Sequence, residues 1–183
     1  MIVARWGPWS GEGLEHLELN VTADAVTADG VVVGATDDGL PFAARYRLTC
    51  DGGWRVRSLS VDVVGAGCGL VLVADGAGSW ATAAGEPLPG LAGAIDVDLS
   101  VSPFTNTLPI RRLDLAAGAG TEIAVAYVHV PDLSVECARQ RYTRPDTDAR
   151  YRFESLGSDF AADIDVDGQG LVVTYPGLFR RTL

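Results

Sequence analysis

Asp96 and Asp98 occupy alternate positions of one apolar-framed segment, and Asn106, Arg111 and Arg112 follow shortly after them. Carboxylates two apart on an extended chain point to one side. There they can bind hydroxyls, grip a guanidinium, or share a proton as an acid–base pair. Arginine adds a planar fork matched to carboxylate, phosphate or sugar oxygens. Leu99, Phe104, Leu108, Ile110 and Leu113 frame these groups. Polar groups in such a frame must satisfy one another or hold a ligand, because a buried unpaired group costs about 1–3 kcal/mol. No nucleophile–base arrangement accompanies them, and Asp96 with Asp98 as an acid–base pair has no substrate logic, so no catalytic residues are expected.

Other chemistry-bearing residues read more simply. Arg45/Arg47, Arg55/Arg57, Arg139/Arg141 and Arg150/Arg152 each repeat Arg-x-Arg on a strand pattern. Such pairs are expected to form cross-strand ion pairs on a solvated face, each worth under about 1 kcal/mol. Arg55, Arg57, Arg141 and the neighbouring Tyr142 stand as second-rank contacts to a polar ligand. Asp163, Asp165, Asp167 and Gly168 imitate the first half of a calcium loop, but Thr174 stands where a bidentate Glu is needed. A strand ending in an Asp-Gly turn is expected instead. His16 and His129 are too few for a His-rich metal site, and Gly65–Gly69 matches no phosphate-binding loop. No metal or cofactor is expected.

Composition narrows the partners. The 183 residues carry a formal charge of −10, from 14 basic and 24 acidic side chains. That balance disfavours nucleic acid and anionic membrane surfaces. Every basic residue is arginine, which reads as the coding bias of a high-GC bacterial genome. Cys50, Cys68 and Cys137 contain no C-x-x-C pair, so neither a disulfide framework nor a zinc knuckle is indicated. The start lacks the apolar core of a signal peptide, and no apolar run approaches the roughly 18–20 residues of a membrane span. Reduced thiols, a cytoplasmic location and no stable membrane insertion are the expectation.

The elements that must position these groups are strands. Period-two alternation recurs from Leu17–Val21 to Leu178–Thr182, punctuated by Asp29-Gly30, Asp37–Gly39, Asp51–Gly53, Asp75-Gly76 and Asp167-Gly168 turns. Arg55 and Arg57 are read onto one face with Leu59, Val61 and Val63. About fifteen strands at this spacing predict one all-β, mainly antiparallel domain over residues 1–183. The single helix candidate runs from Ser102 to Arg112, with Ser102 as cap, Pro103 in the first turn, and a kink or end near Pro109.

Several blocks, in order, resemble a bacterial glycolipid-binding family that was formerly a domain of unknown function. They are Asp51–Arg57, Ile95–Ser100, Ser102–Leu113 with its Pro-Phe-Thr-Asn-Thr-Leu-Pro-Ile-Arg-Arg core, Gln140–Thr143, Tyr151–Ser155 and Gly170–Phe179. Ser102 stands where the family pattern has Thr, and Ala94 where it has Cys. The resemblance implies a spiral β-roll of about fifteen strands wrapped around one short helix, a homodimer, and a glycolipid or related amphiphile as ligand. On this reading the apolar interior takes the chain, while Asp96, Asp98, Asn106, Arg111 and Arg112 orient the head. The alternative is a structural or protein-interaction module in which the same cluster is a satisfied internal network.

Overall fold

A computed structural model describes residues 1–145 and 149–183. The chain runs up and down through β1 (Ile2–Pro8), β2 (Leu14–Val21), β3 (Ala25–Ala35), β4 (Pro41–Asp51), β5 (Val56–Val63), β6 (Cys68–Ala74) and β7 (Trp80–Thr82). After β8 (Asp96–Leu99) come a 3-10 turn, Pro103–Asn106, and α1 (Thr107–Leu113). The strands then resume with β9 (Gly120–Val128), β10 (Val135–Thr143), β11 (Arg150–Ser155), β12 (Ala161–Val166), β13 (Val172–Tyr175) and β14 (Phe179–Arg181). All fourteen form one sheet, ordered β7-β6-β5-β4-β3-β2-β1-β14-β13-β12-β11-β10-β9-β8. The expected all-β, mainly antiparallel roll with one short helix is therefore what the chain forms.

The helix has a topological cause. β8 pairs with β9 in parallel, whereas the other neighbours are antiparallel. A parallel pair cannot be joined by a tight hairpin and needs a crossover. The 3-10 turn and α1 supply it. Pro103–Ile110 is buried throughout. Phe104 and Leu108 pack with Trp6, Leu17, Leu48 and Leu59, while Ile110 joins Tyr142, Tyr151, Phe153 and Ile164. The helical segment is thus the spine between two apolar clusters, and each large side chain there contributes about 1.5–3 kcal/mol by burial. No helix among the described residues is long and apolar enough to cross a membrane.

Several local expectations are corrected. β1 carries no strand signal in the alternation read above, since Gly7 and Pro8 interrupt it, yet it pairs with both β2 and β14. Asp29-Gly30 is no turn and lies mid-strand in β3, opposite Arg47 and Tyr46. A Cβ at Gly30 would meet the Tyr46 ring at 2.2 Å, so glycine serves close approach there. Arg57 does not share a face with Leu59. The register slips between Thr49 and Cys50, so Arg57 is the extra residue of a bulge and points outward. α1 does not stop at Pro109, which lies in its first turn, where a missing N–H costs little. Ser102 makes no cap hydrogen bond, because its hydroxyl donates to Glu15. The Asp51–Gly53 and Asp167-Gly168 turns form as expected, each with its Asp carboxylate accepting backbone N–H groups.

Candidate ligand-binding cleft

β8 buries Val97 and Leu99 in the core cluster and offers Asp96 and Asp98 on alternate positions to the helical segment. Asp96 is fully buried and is gripped by Arg112 from the last turn of α1. The Arg112 Nε donates to Oδ1 and Oδ2 at 3.0 and 3.2 Å, and Nη2 donates to Oδ2 at 2.5 Å. Burial pushes the Asp96 carboxyl above its ordinary range, and the guanidinium opposes that rise. Both Asp96 oxygens are engaged by Arg112, and the fork ties the helix end to the edge strand.

Asp98 has a different setting. Its oxygens accept from Thr105 Oγ1 at 2.9 Å and from Gln140 Nε2 at 2.6 Å. With neutral donors only, desolvation dominates and raises its pKa to about 6. Asn106 accepts from Tyr142 Oη at 2.8 Å, so Tyr142 acts from behind as a support that sets the amide's orientation. Burial pushes the Tyr142 phenol well above its ordinary value.

A third carboxyl, Glu15 on β2, escapes the sequence reading. It is buried, and its Oε1 accepts from Tyr46 Oη and Ser102 Oγ, both at 2.6 Å. Its Oε2 is buried without a hydrogen-bond partner among the described residues. Burial raises this carboxyl to about 7, with the two hydroxyls opposing the shift. The signal was present in the strand parity. Glu15 shares its side with Leu17 and Leu19, and all three are buried.

Glu15 and Asp98 border two hollows. The larger, about 780 Å³, has Glu15, Trp6, Trp9, Val32, Phe42 and Val101 in its wall. The smaller, about 340 Å³, has Asp98, Asn106, Gln140, Phe153, Phe160 and Tyr175 in its wall. Ser100, Tyr127, Leu178 and Phe179 belong to both walls, so the two hollows adjoin as neighbouring lobes. Phe153, Phe160, Tyr175 and Phe179 form a continuous run of ring contacts at centroid spacings of 6.0–6.4 Å. The rings face the smaller lobe together with an amide pair and a carboxyl.

The structure brings Asp98 and Asn106 to the cleft and keeps the arginines out of both lobes. Arg111 is exposed, lies over the Trp54 ring at 5.3 Å, and borders a separate hollow of about 250 Å³. Arg141 pairs with Glu154 at 3.9 Å and Arg57 with Asp51 at 3.3 Å, while Arg55 is exposed beside the same turn. The remaining Arg-x-Arg members make the expected cross-strand ion pairs, among them Arg45–Asp62, Arg47–Asp29, Arg139–Glu122 and Arg152–Asp163. Asp163, Asp165 and Asp167 are each taken by an arginine, and no metal-ligand cluster occurs among the described residues. Cys50 and Cys137 are free thiols, Cys50 buried and Cys137 exposed, and the Cys68 side chain lies outside the described set.

Comparison with known proteins agrees with this architecture. A crystal structure of a DUF1089 family protein from Pseudomonas aeruginosa is similar at a TM-score of 0.84 and 40% identity, covering 94% of this chain and 93% of that one. No curated protein matches the chain. A family model described as "Putative glycolipid-binding" matches residues 3–181. With that match running over nearly its whole length, the chain belongs to this family.

Proposed function

We propose that the protein binds an amphiphile with a neutral, polyhydroxylated head, of the glycolipid class. The observation that carries this reading is the adjacency of the two lobes, whose walls share Ser100, Tyr127, Leu178 and Phe179. The larger lobe takes the chain along Trp6, Val32, Phe42 and Val101. In the smaller lobe, sugar hydroxyls meet Asp98, Asn106 and Gln140, and the ring's C–H face rests on Phe160 and Tyr175. Both volumes lie in the range of small-molecule sites, about 300–1,000 Å³. Charge supports a neutral head over a phosphate. Among the described residues the two walls hold Glu12, Glu15, Asp37, Asp98, Asp132 and Glu136 and no arginine, so no guanidinium is there to offset the repulsion of an anion.

A second reading applies to the other half of the polar cluster. The Asp96–Arg112 fork is self-satisfied and supports a scaffold role for that pair.

Calorimetric titration with alkyl glucosides of increasing chain length, kept below micelle formation, tests the proposal. Affinity is expected to rise by about 0.8 kcal/mol per buried methylene until the larger lobe is full. Asp98→Asn is expected to weaken every glucoside about tenfold while preserving that slope. Absence of binding across the series, with no amphiphile extracted by organic solvent from protein purified from its own host, overturns it.

A further inference from the structure

The wall between the two lobes contains a group that the head-and-chain description does not use. Glu15 belongs to the wall of the larger lobe and Ser102 to the wall of the smaller one. The two are joined by the 2.6 Å hydrogen bond from Ser102 Oγ to Glu15 Oε1. The pair therefore stands between the two lobes, beside the junction formed by Ser100, Tyr127, Leu178 and Phe179, where an amphiphile occupying both would carry its linkage, the atoms between chain and head. Tyr46 and Ser102 both donate to Oε1, which leaves Oε2 as the one oxygen of the carboxyl with no hydrogen-bond partner among the described residues. Oε2 is closed to solvent, so a ligand group recovers the roughly 1–3 kcal/mol that a buried unpaired polar atom costs once the carboxyl turns toward the larger lobe.

We infer that Glu15 reads the linkage of the bound amphiphile, donating a hydrogen bond from Oε2 as a carboxylic acid to an ester or amide carbonyl oxygen. This rests on the amphiphile reading above and names the part of the ligand it left open. The surroundings favour the protonated form. Trp6 on β1 and Val32 on β3 are the cross-strand neighbours of Glu15, Tyr46 on β4 and Ser102 before the 3-10 turn are its hydrogen-bond donors, and none of these is a cation. The ionisable side chains elsewhere in the same lobe are Glu12, Asp37, Tyr127, His129 and Asp132. Burial accordingly lifts the carboxyl to about 7, so it holds a proton in mildly acidic solution and sheds it in alkaline solution. A protonated donor matches a carbonyl oxygen better than an ether oxygen, which is the weaker acceptor.

The test compares a dodecanoyl ester of glucose with dodecyl glucoside, which share chain length and sugar, by calorimetric titration at about pH 5.5 and about pH 8.5. In the wild-type protein the ester is expected to bind about three- to tenfold more tightly than the glucoside at the lower pH, with the preference lost at the higher. Glu15→Gln, whose amide donates at either pH, is expected to keep the preference at both. Glu15→Leu is expected to show none. Should Glu15→Leu fail to fold, the wild-type and Glu15→Gln profiles decide the matter alone. Equal affinities for the two compounds in the wild type at the lower pH overturn this inference and leave the amphiphile reading standing, as does a pH dependence that persists in Glu15→Gln. Failure of both compounds to bind overturns the amphiphile reading, and this inference with it.

Discussion

At the scale of single residues, three carboxyls, two buried and one half-buried, obey three different balances. Asp96 has a guanidinium, Asp98 has two neutral donors, and Glu15 has two hydroxyls on one oxygen and none on the other. The consequence for stability has a definite sign. Glu15 and Asp98 rise from 4.5 and 3.8 to about 7 and about 6, so between those values the folded protein binds more protons than the unfolded chain. Stability from these groups is full at low pH and is lost as pH climbs toward 7. Asp75, Asp132 and Asp167 run the other way, held low chiefly by hydrogen bonds, and lose their contribution as pH falls below the carboxylate range. Thermal melting is therefore expected to peak on the mildly acidic side, near about pH 5. Glu15→Gln should remove up to about 3 kcal/mol of the decline above it. A wild-type Tm that climbs steadily from acidic to alkaline pH contradicts this. For Asp96 the expectation concerns pairing. Arg112→Met leaves a fully buried acid without its cation and should cost about 3–5 kcal/mol in urea unfolding, much of it restored by adding Asp96→Leu.

At the scale of elements, the strand alternation was legible because each inner face is written locally. Ala44, Tyr46, Leu48 and Cys50 point inward from β4 while Arg45 and Arg47 point out, as their spacing says. The helix was legible too, since Pro103 and Phe104 interrupt the alternation. What alternation cannot record is the partner across the roll. Glu15 finds Tyr46 and Ser102, 31 and 87 residues away along the chain, and neither distance leaves a mark near Glu15 itself. Asp29-Gly30 was misread for the same reason. Its glycine answers to the Tyr46 ring on the next strand, whereas a turn answers to its own backbone. Gly30→Ala should therefore act through Tyr46, displacing the ring from Glu15 and costing about 1–3 kcal/mol. In the Tyr46→Leu background, where no ring stands opposite, the same substitution should cost clearly less. Equal costs in both backgrounds in urea unfolding would remove the close-approach explanation.

At the scale of the whole molecule, the sheet is a nearly continuous meander whose two ends, β7 and β8, do not pair with each other. The N- and C-terminal strands β1 and β14 are hydrogen-bonded to each other in its middle, so neither terminus is a free edge. The break lies instead where the chain crosses from β7 to β8. There the Trp80 indole donates to the Ala94 carbonyl at 2.8 Å, and the Gly93 N–H donates to Gly78 at 2.8 Å. A Cβ at Gly78 would come within 3.0 Å of Gly93, so the backbones touch there. β7 has only three residues and a single strand neighbour, whereas β3 and β4 share eleven register pairs. Few bonds hold the seam and many hold the body, so local opening should begin at the seam. Trp80→Phe removes the indole donor with little change in apolar bulk. It is expected to speed amide hydrogen exchange across Trp80–Thr82 and Asp96–Leu99 by about three- to tenfold, with β2, β3 and β4 unchanged. A uniform acceleration over the sheet would mean that the roll opens as one cooperative unit, and that the seam has no separate stability.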